Sequence, residues 1–575
     1  MIQLGISAFY HDSAACIVKD GKVIAAVEEE RFTEIKHDDS FPVNAISWVL
    51  KQAKIRHISE IDEVCWYENP EVKKDRVLKT FAKRPFRTFY NKIKFLTKHY
   101  LFAPDILMYL YFGYYGKIKY IDHHLSHAAF SYFTSPFKHA AILTVDGVGE
   151  WETVTISKAV NGKLIKKLSI DFPNSLGMLY STVTAFLGFK PNEGEYKIMG
   201  LAPFGDPDKY FTQLDSIFNH KGNKFEIDQS YFTWEYSDKI MFNLDLCHLL
   251  GIAPKFPEEP LIQDHKDLAA ALQKVYEMQF GRLLKTAKKL TKSSNICLGG
   301  GCAYNGVANI KAYEYFKSVH IPFAPSDAGS AIGACLYSYK GKRKKNTNPY
   351  LGDSYKDIEI ISILDYFSNL VSFKKYHNDE LLINIAKHIK DEKIIALFRE
   401  RMEFGARALG NRSIIASPEF ADMRVKLNRV IKKREGFRPF APSVTLEKAK
   451  DYFENIIAGN FKVYQLHVIT EEVENFKYLM VRLKDILSIS SSNFKKIIID
   501  ESKYFVPIYA MHRPAVKNIS TGKLYEPTTH KFVETLCEQK SGSIIHAGTF
   551  FGDMLPNFSK FANGSVYAFE PVLEN

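Results

Sequence analysis

The stretch that most limits the fold is residues 121–149, IDHHLSHAAFSYFTSPFKHAAILTVDGVG. His123 and His127 stand four apart in an Ala-rich run, and a helix places positions i and i+4 on one face, so both imidazoles can meet one metal ion. The following AAILTV is a short apolar run bounded by Asp and Gly. It reads as a buried strand whose end carries Asp146 into a glycine turn. A helix and a strand end thereby offer two nitrogens and one oxygen. The Glu that a zinc protease carries after its first His is missing, since His124 holds that position, so hydrolytic zinc chemistry is disfavoured. Imidazole with carboxylate suits iron, zinc or manganese, and spacing alone does not choose among them.

The rest of the first 340 residues keeps an α/β pattern. The chain opens as strand, loop, strand, turn, strand, with Asp20-Gly21 a hairpin signal between apolar runs. The loop FYHDSAA carries His11, Asp12 and Ser13; a small polar loop at this point is where the actin-like ATPase architecture holds phosphate, and a simple polar turn explains it equally well. Lys36 and His37 read as a solvated loop. Residues 72–100 interleave Lys and Arg with aromatics and read as an amphipathic helix covering a core. A second hairpin turns at Asn161-Gly162, and Lys197 sits among Gly194, Gly200 and Gly205, where a Lys can hold phosphate. Residues 267–291 keep helical spacing and lead into NICLGGGCAYNGVANIKAY. Strand, triple glycine and helix let the backbone at Gly299, Gly300 and Gly301 approach a flat or anionic group, with the Asn305 amide beside it. IPFAPSDAG ends an extended segment in Asp327, which can complete a two-His, two-Asp sphere.

A chain of 575 residues, 46% hydrophobic and 25% charged, should hold two or more domains. Its formal charge of +12 fits anionic ligands such as nucleotides or phosphorylated sugars, but is too dilute over this length to argue for nucleic acid. The seven cysteines are scattered without any C-x-x-C, which fits a reducing compartment. The most apolar stretch, residues 101–115, is broken by Pro104 and Asp105 and is too short to span a membrane. A cytoplasmic protein is expected.

Residues 341–355, GKRKKNTNPYLGDSY, read as an interdomain linker. A second domain, 356–455, carries Arg401, Arg407 and Arg412 beside glycine turns, then Lys432, Arg434 and Arg438. Guanidinium forks with backbone amides suit a phosphate or acyl-phosphate pocket, although one or two of these Arg can simply tie loops together. Residues 456–575 end in a strand, Gly548-x-x-x-Gly552-Asp553, a helix, a strand and Glu570, the order of a nucleotide-binding αβ unit.

The motifs SAFYHDSAA, AVEEERFT, HHLSHA, TVDGVGE, EYKIMGLAPFG, LGGGCAYN, PSDAGSAIGA, RMEFGARALGNRS and KKREGFRPFAPSV occur in that order. Together they resemble the O-carbamoyltransferases of nodulation-factor and antibiotic biosynthesis, over residues 1 to about 450. The resemblance implies an actin-like ATPase (ASKHA) large domain over 1–340 and a smaller domain similar to threonylcarbamoyl-adenylate synthases over 356–455. It implies that carbamoyl phosphate and ATP give a carbamoyl-adenylate, whose carbamoyl group passes to a hydroxyl of a sugar, an antibiotic-like molecule or a nucleoside. By motif, His123, His127, Asp146 and Asp327 resemble metal ligands with iron (Fe2+) the expected ion, and His11 and Asp12 the acceptor-side catalytic pair. Gly300, Gly301 and Asn305 resemble nucleotide contacts. Arg407, Lys432 and Arg438 resemble the residues holding carbamoyl phosphate and ATP.

Departures accompany it. Arg399-Glu400 replaces a usual Gln-Gly, Ala406 replaces a usual Pro, and the family's continuation after FAPSV is absent, so the small domain reads as truncated. Residues 456–575 resemble instead the front of an FkbM-type methyltransferase, a partial Rossmann-like segment that would use S-adenosylmethionine only if completed. Two alternatives stand beside the transferase: a fused carbamoyl- and methyltransferase fragment, or a nucleotide- and metal-binding remnant that makes no adenylate. No membrane partner is expected, and a homodimer is compatible with the reading.

Overall fold

The computed structural model describes residues 1–443, apart from 84, 238, 239 and 421, together with four strands nearer the C-terminus. The described chain divides into two units, the first made of residues 1–32, 37–355 and 374–443. It holds two five-stranded sheets of one topology.

The first sheet is built from β1 (Ile2–Ser7), β2 (Ala14–Lys19), β3 (Lys22–Glu28), β4 (Glu63–Trp66) and β5 (Ile118–Tyr120) in the order β3-β2-β1-β4-β5. The second is built from β6 (His139–Val145), β7 (Glu152–Val160), β8 (Lys163–Asp171), β11 (Asn295–Gly299) and β12 (Ser318–His320), ordered β12-β11-β6-β7-β8. Read from the opposite edge, the second order repeats the first. A hairpin of β9 (Phe218–Lys221) and β10 (Lys224–Ile227) lies between them in sequence. In each sheet the first three strands are an antiparallel meander and the last two run parallel to the first. Both predicted hairpins form. Asp20 and Gly21 (φ +49° and +75°), and Asn161 and Gly162 (+47° and +88°), supply the paired positive φ that a two-residue turn matching strand twist requires.

Two helices lie between the sheets. Helix α1 (His123–Phe133) enters the second half and packs on β6, β7 and β11, whereas α4 (Asp327–Ser338), which ends that half, packs back on β1, β2 and β4. Each sheet thus bears the helix that its partner half leads into or out of, and α1 and α4 pack against one another. Glycines permit the closeness: a Cβ at Gly5 would run into the Ala331 carbonyl, and one at Gly333 into that of Ser126. Helix α3 (Gln263–Thr291) covers the second sheet's far side with Leu268, Leu272, Val275 and Leu283. Ile46 and Val49 of Val43–Gln52 cover that of the first. This duplicated α/β arrangement is the one expected of the actin-like ATPase class.

The amphipathic stretch at 72–100 forms two helices, Pro70–Ala82 and Pro85–Leu101. No helix among the described residues is long and apolar enough to cross a membrane. Residues 341–355 are tied down along their length. Arg343 donates to the carbonyls of Tyr132, Ser135 and Phe137, and Asn346 pairs with Val23 N–H and Gly21 C=O at 3.0 and 2.9 Å. Beyond them β13 (Ile395–Phe398) and β14 (Arg412–Ile415) pair antiparallel.

The second unit comprises residues 33–36, 356–373 and the C-terminal strands. There β15 (Phe494–Ile499) and β16 (Ser502–Pro507) pair antiparallel, and β17 (Ile544–Ala547) and β18 (Val566–Phe569) pair parallel. Gly548, Gly552, Asp553 and Glu570 lie outside the described residues, as does the continuation after FAPSV.

Candidate metal centre and its surroundings

The start of α1, the end of β6 and the start of α4 meet where the two halves face. His127 Nε2 lies 2.7 Å from Asp146 Oδ2, 3.3 Å from Asp327 Oδ1 and 3.1 Å from His123 Nε2. His123 Nε2 lies 3.4 Å from Asp146 Oδ2 and 3.6 Å from Asp327 Oδ1. One donor atom from each of the four residues falls within 4.8 Å of all the others, and all four residues are buried. Sequence reasoning named these four, and the structure brings them together.

The donor set fits a divalent cation. Both oxygens of Asp327 are buried and face only imidazole nitrogens of His127, His123 and His11 at 3.3 to 3.9 Å among the described residues, a costly state for a carboxylate unless a positive charge meets it. His127 is oriented through its other nitrogen, with Nδ1 2.9 Å from Ser330 Oγ, the kind of bond that aims a ligating imidazole. Burial works against a charge on His127, but the bonds and charges of Asp146 and Asp327 outweigh it and raise the imidazole to about 9. For Asp146, burial works upward, and the two imidazoles overcome it and hold the carboxyl well below its usual range. His124, one residue away, is different: its Nδ1 lies 2.7 Å from Thr144 Oγ1, and burial keeps the ring neutral.

Glu150 fixes the entry to α1, and sequence reasoning gave it no role. Its carboxylate accepts His123 N–H at 3.0 and 3.1 Å and Asn69 N–H at 2.7 Å, satisfying a first-turn donor and placing negative charge at a helix N-terminus. The glycine run sits directly behind the metal ligands. Gly300 has φ +84°, and a Cβ there would strike the Val145 carbonyl; a Cβ at Gly301 would lie 3.2 Å from Asp146 Oδ1. Asn305 is engaged, exchanging two amide bonds with Gln273 at 3.0 and 3.1 Å and capping Ala308 N–H.

The loop after β1 meets this centre. His11 Nε2 stands 3.9 Å from Asp327 Oδ2, and His11 Nδ1 lies 2.9 Å from Asp12 Oδ2. Burial lowers His11, but Asp327, Asp12 and Asp146 together raise it to about 10. His37, expected as part of a solvated loop, has Nδ1 2.6 Å from Asp12 Oδ1 and a side chain only 20% exposed.

The basic residues of the third segment separate into two groups. Arg401, Arg412 and Arg434 donate to main-chain carbonyls or to Asn428 and tie loops together. Arg407 is exposed and lies over the Tyr304 ring at 5.3 Å, beside the glycine run. Arg438 lies over Tyr196, in α2 (Glu195–Leu201), at 4.5 Å and 3.6 Å from Glu435, whose other oxygen takes Lys197 Nζ at 2.8 Å. Lys197, read as a phosphate holder, is therefore paired. Lys432 follows a π-helical turn and is exposed.

Fold and site together define a duplicated α/β protein with a buried His2Asp2 centre set against a glycine-rich turn. Comparison with known proteins narrows this. The family description "Carbamoyltransferase N-terminus" matches residues 2–336, and "Carbamoyltransferase C-terminus" matches 386–483. The Synechocystis protein sll1178 is 40% identical over 474 residues, covering 78% of this chain and 77% of that one. Nodulation protein NolNO of Sinorhizobium fredii is 32% identical over 464 residues, covering 78% of this chain and 64% of its own length. The 3'-hydroxymethylcephem-O-carbamoyltransferase of Amycolatopsis lactamdurans is 26% identical over 280 residues, 47% of each chain. The chain belongs to the carbamoyltransferase family and is a transferase.

Proposed function

We propose that this chain is an O-carbamoyltransferase that forms carbamoyl-adenylate from carbamoyl phosphate and ATP and passes the carbamoyl group to a hydroxyl of a small acceptor. One observation carries the transfer step: His11 and Asp12 adjoin the four-ligand centre, with His11 Nε2 3.9 Å from Asp327. A base is thereby set beside the residues that would polarise an acyl group.

His123, His127, Asp146 and Asp327 would hold the cation, and a bound divalent ion supplies Lewis-acid stabilisation of charge on a carbonyl oxygen. Iron remains the ion the resemblance implies. Ionised Asp12 can only accept hydrogen bonds, so His11 donates from Nδ1 and presents Nε2. Asp327 and Asp146 are two of the three carboxylates raising His11, so balancing their charge frees its Nε2 to take a proton at neutral pH. In the transfer the acceptor oxygen bonds to the carbamoyl carbon, the carbon–oxygen bond to the adenylate breaks, AMP leaves, and the hydroxyl proton goes to His11. Gly300 and Gly301 would admit the nucleotide closely. Arg407 and Arg438, with Lys432, would meet carbamoyl phosphate and ATP.

The acceptor is a sugar, an antibiotic-like molecule or a nucleoside; the name of the Amycolatopsis lactamdurans relative gives a hydroxymethylcephem as that protein's own acceptor. The carbamoyltransferase C-terminal match reaches residue 483, into the segment expected to resemble the front of a methyltransferase. S-adenosylmethionine has no part in this proposal. The test is direct: purified protein with carbamoyl phosphate, ATP and an acceptor panel yields carbamoyl-adenylate and carbamoylated product. Absence of both, with preformed carbamoyl-adenylate also left untouched, overturns it.

A further inference from the structure

The loop bearing His11 and Asp12 is held by a second segment whose contribution lies in one imidazole. Phe9 N–H donates to Asp39 C=O at 3.0 Å and Ser13 N–H to Asp38 C=O at 2.8 Å, so residues 37–39 run alongside the loop after β1. Across that seam Asp12 is clamped between two rings, His37 Nδ1 at 2.6 Å from Oδ1 and His11 Nδ1 at 2.9 Å from Oδ2. Both Asp12 and His37 sit at positive φ, +53° and +56°, the left-handed region that Asp and His enter more readily than most side-chain-bearing residues. His37 is itself anchored, its N–H donating to Glu30 Oε2 at 2.9 Å.

Asp12, Glu30 and His37 lie close enough to suit a small cation. However, Glu30 is already engaged by the His37 N–H and, at 3.3 Å, by Arg31. The trio therefore reads better as a hydrogen-bonded support than as a metal site.

We propose that His37 is a positioning residue of the transfer step: it fixes one oxygen of Asp12, so that the other holds His11 with Nε2 turned toward the four-ligand centre. This rests on the carbamoyl-transfer reading of that centre. The order His37–Asp12–His11 extends base-and-orienter logic by one member, and the backbone seam between residues 37–39 and the loop after β1 holds both ends of the first bond in place. The position has a strict geometric demand, because only a donor at the place of Nδ1 reaches Asp12. Asn carries its amide nitrogen at that place, whereas Gln carries it one bond further on.

The experiment uses the full chain with His37→Asn, His37→Gln and His37→Ala, preformed carbamoyl-adenylate, and methyl glucoside or adenosine as hydroxyl acceptor. His37→Ala and His37→Gln should lower kcat about 10-fold or more, a part of the 10²–10⁴-fold that a positioned base supplies. Acceptor KM and bound metal should stay near wild type, and His37→Asn should recover most of the rate. Equal rates in Asn and Gln variants, or an unchanged rate in Ala, overturn the proposal. A second readout is independent of turnover. In protein labelled with 15N-histidine, the His11 Nδ1–H resonance should stay downfield in the wild type and the Asn variant, and shift or broaden in Gln and Ala. A wild type that transfers nothing yet shows this pattern refutes the carbamoyl-transfer reading and leaves the positioning intact. A His11 signal indifferent to residue 37 refutes the positioning itself.

Discussion

Replacing Glu150 by Ala tests whether the metal centre is held from outside its own ligands. The buried carboxylate is the acceptor for two main-chain N–H groups, those of Asn69 and His123, at 2.7 to 3.1 Å. Hydrogen bonds to a charged group contribute about 1.5–3 kcal/mol each, and a buried donor left without a partner costs about 1–3 kcal/mol. Burial also raises the carboxyl of Glu150, so part of this gain is already offset in the native protein. A net local loss of about 2–4 kcal/mol is the resulting figure. It should appear as amide exchange at the start of α1 faster by a factor of about 30 to 1,000, since about 1.4 kcal/mol corresponds to tenfold. Because His123 is the first residue of that helix, divalent metal affinity should fall about 10- to 100-fold, as for other supporting groups around metal ligands. Glu150→Gln keeps a carbonyl oxygen where Oε1 accepts both N–H groups, so it should lose far less. Hydrogen exchange by mass spectrometry and metal-binding calorimetry read both effects. Unchanged exchange and affinity in Glu150→Ala would refute the capping argument, and equal damage from Gln would show that charge rather than an acceptor is what matters.

Asp327→Asn should abolish tight metal binding and lower the melting temperature of the metal-free protein near neutral pH, because the carboxylate it removes helps hold His127 and His11 in their charged forms. Metal affinity equal to wild type would contradict this. Gly300→Ala places a methyl against the Val145 carbonyl at φ +84° and ψ +164°, a region essentially reserved to glycine and costing about 1–3 kcal/mol before the clash is counted. Weaker ATP binding by calorimetry and a lower melting temperature are both expected. In the metal-free protein His127 is raised from 6.5 to about 9, so its contribution to stability is complete below pH 6.5 and is lost as pH rises through about 9. A metal must displace that proton. Affinity should therefore tighten between pH 6.5 and 9, with buffer-dependent calorimetric heats showing proton release at pH 7.5; heats that do not vary with the buffer would refute it.

The four side chains of the candidate centre were legible because each carries a local signature: two His at i and i+4, an Asp closing an apolar strand, and an Asp where extended chain meets a helix. Hairpins at Asp20-Gly21 and Asn161-Gly162 were legible for the same reason, since a two-residue turn dictates its own residues. Groups acting through distant backbone were not. Glu150 caps a helix that begins 27 residues earlier, and no spacing rule joins them. His37 resembles any polar turn residue until its partner, 25 positions upstream, is in view. The segment 341–355 has a linker's composition. Yet Asn346 pairs with the β2–β3 hairpin by offering an amide in place of a peptide group, which composition does not record.

The repeated sheet explains why the centre needs ligands from such separated stretches. In a single half, the end of β1 or β6 would open onto solvent, and one carboxylate there would bind a cation weakly. Because α1 lies on the second sheet and α4 on the first, the helix starts are carried to the seam between the halves. Their first-turn residues, His123 and Asp327, there face the strand end that presents Asp146. Gly5 and Gly333 allow backbone-to-backbone contact on both sides of α4, so the helix has little freedom to slide. A substitution at either glycine should therefore displace Asp327 without touching it, and reduce metal affinity more than a substitution of similar size elsewhere on the same helix. Gly333→Ala, which would meet the Ser126 carbonyl one residue from His127, is the sharper of the two. If it binds metal as the wild type does, the packing of α1 on α4 is not what sets the distance between the imidazoles and Asp327.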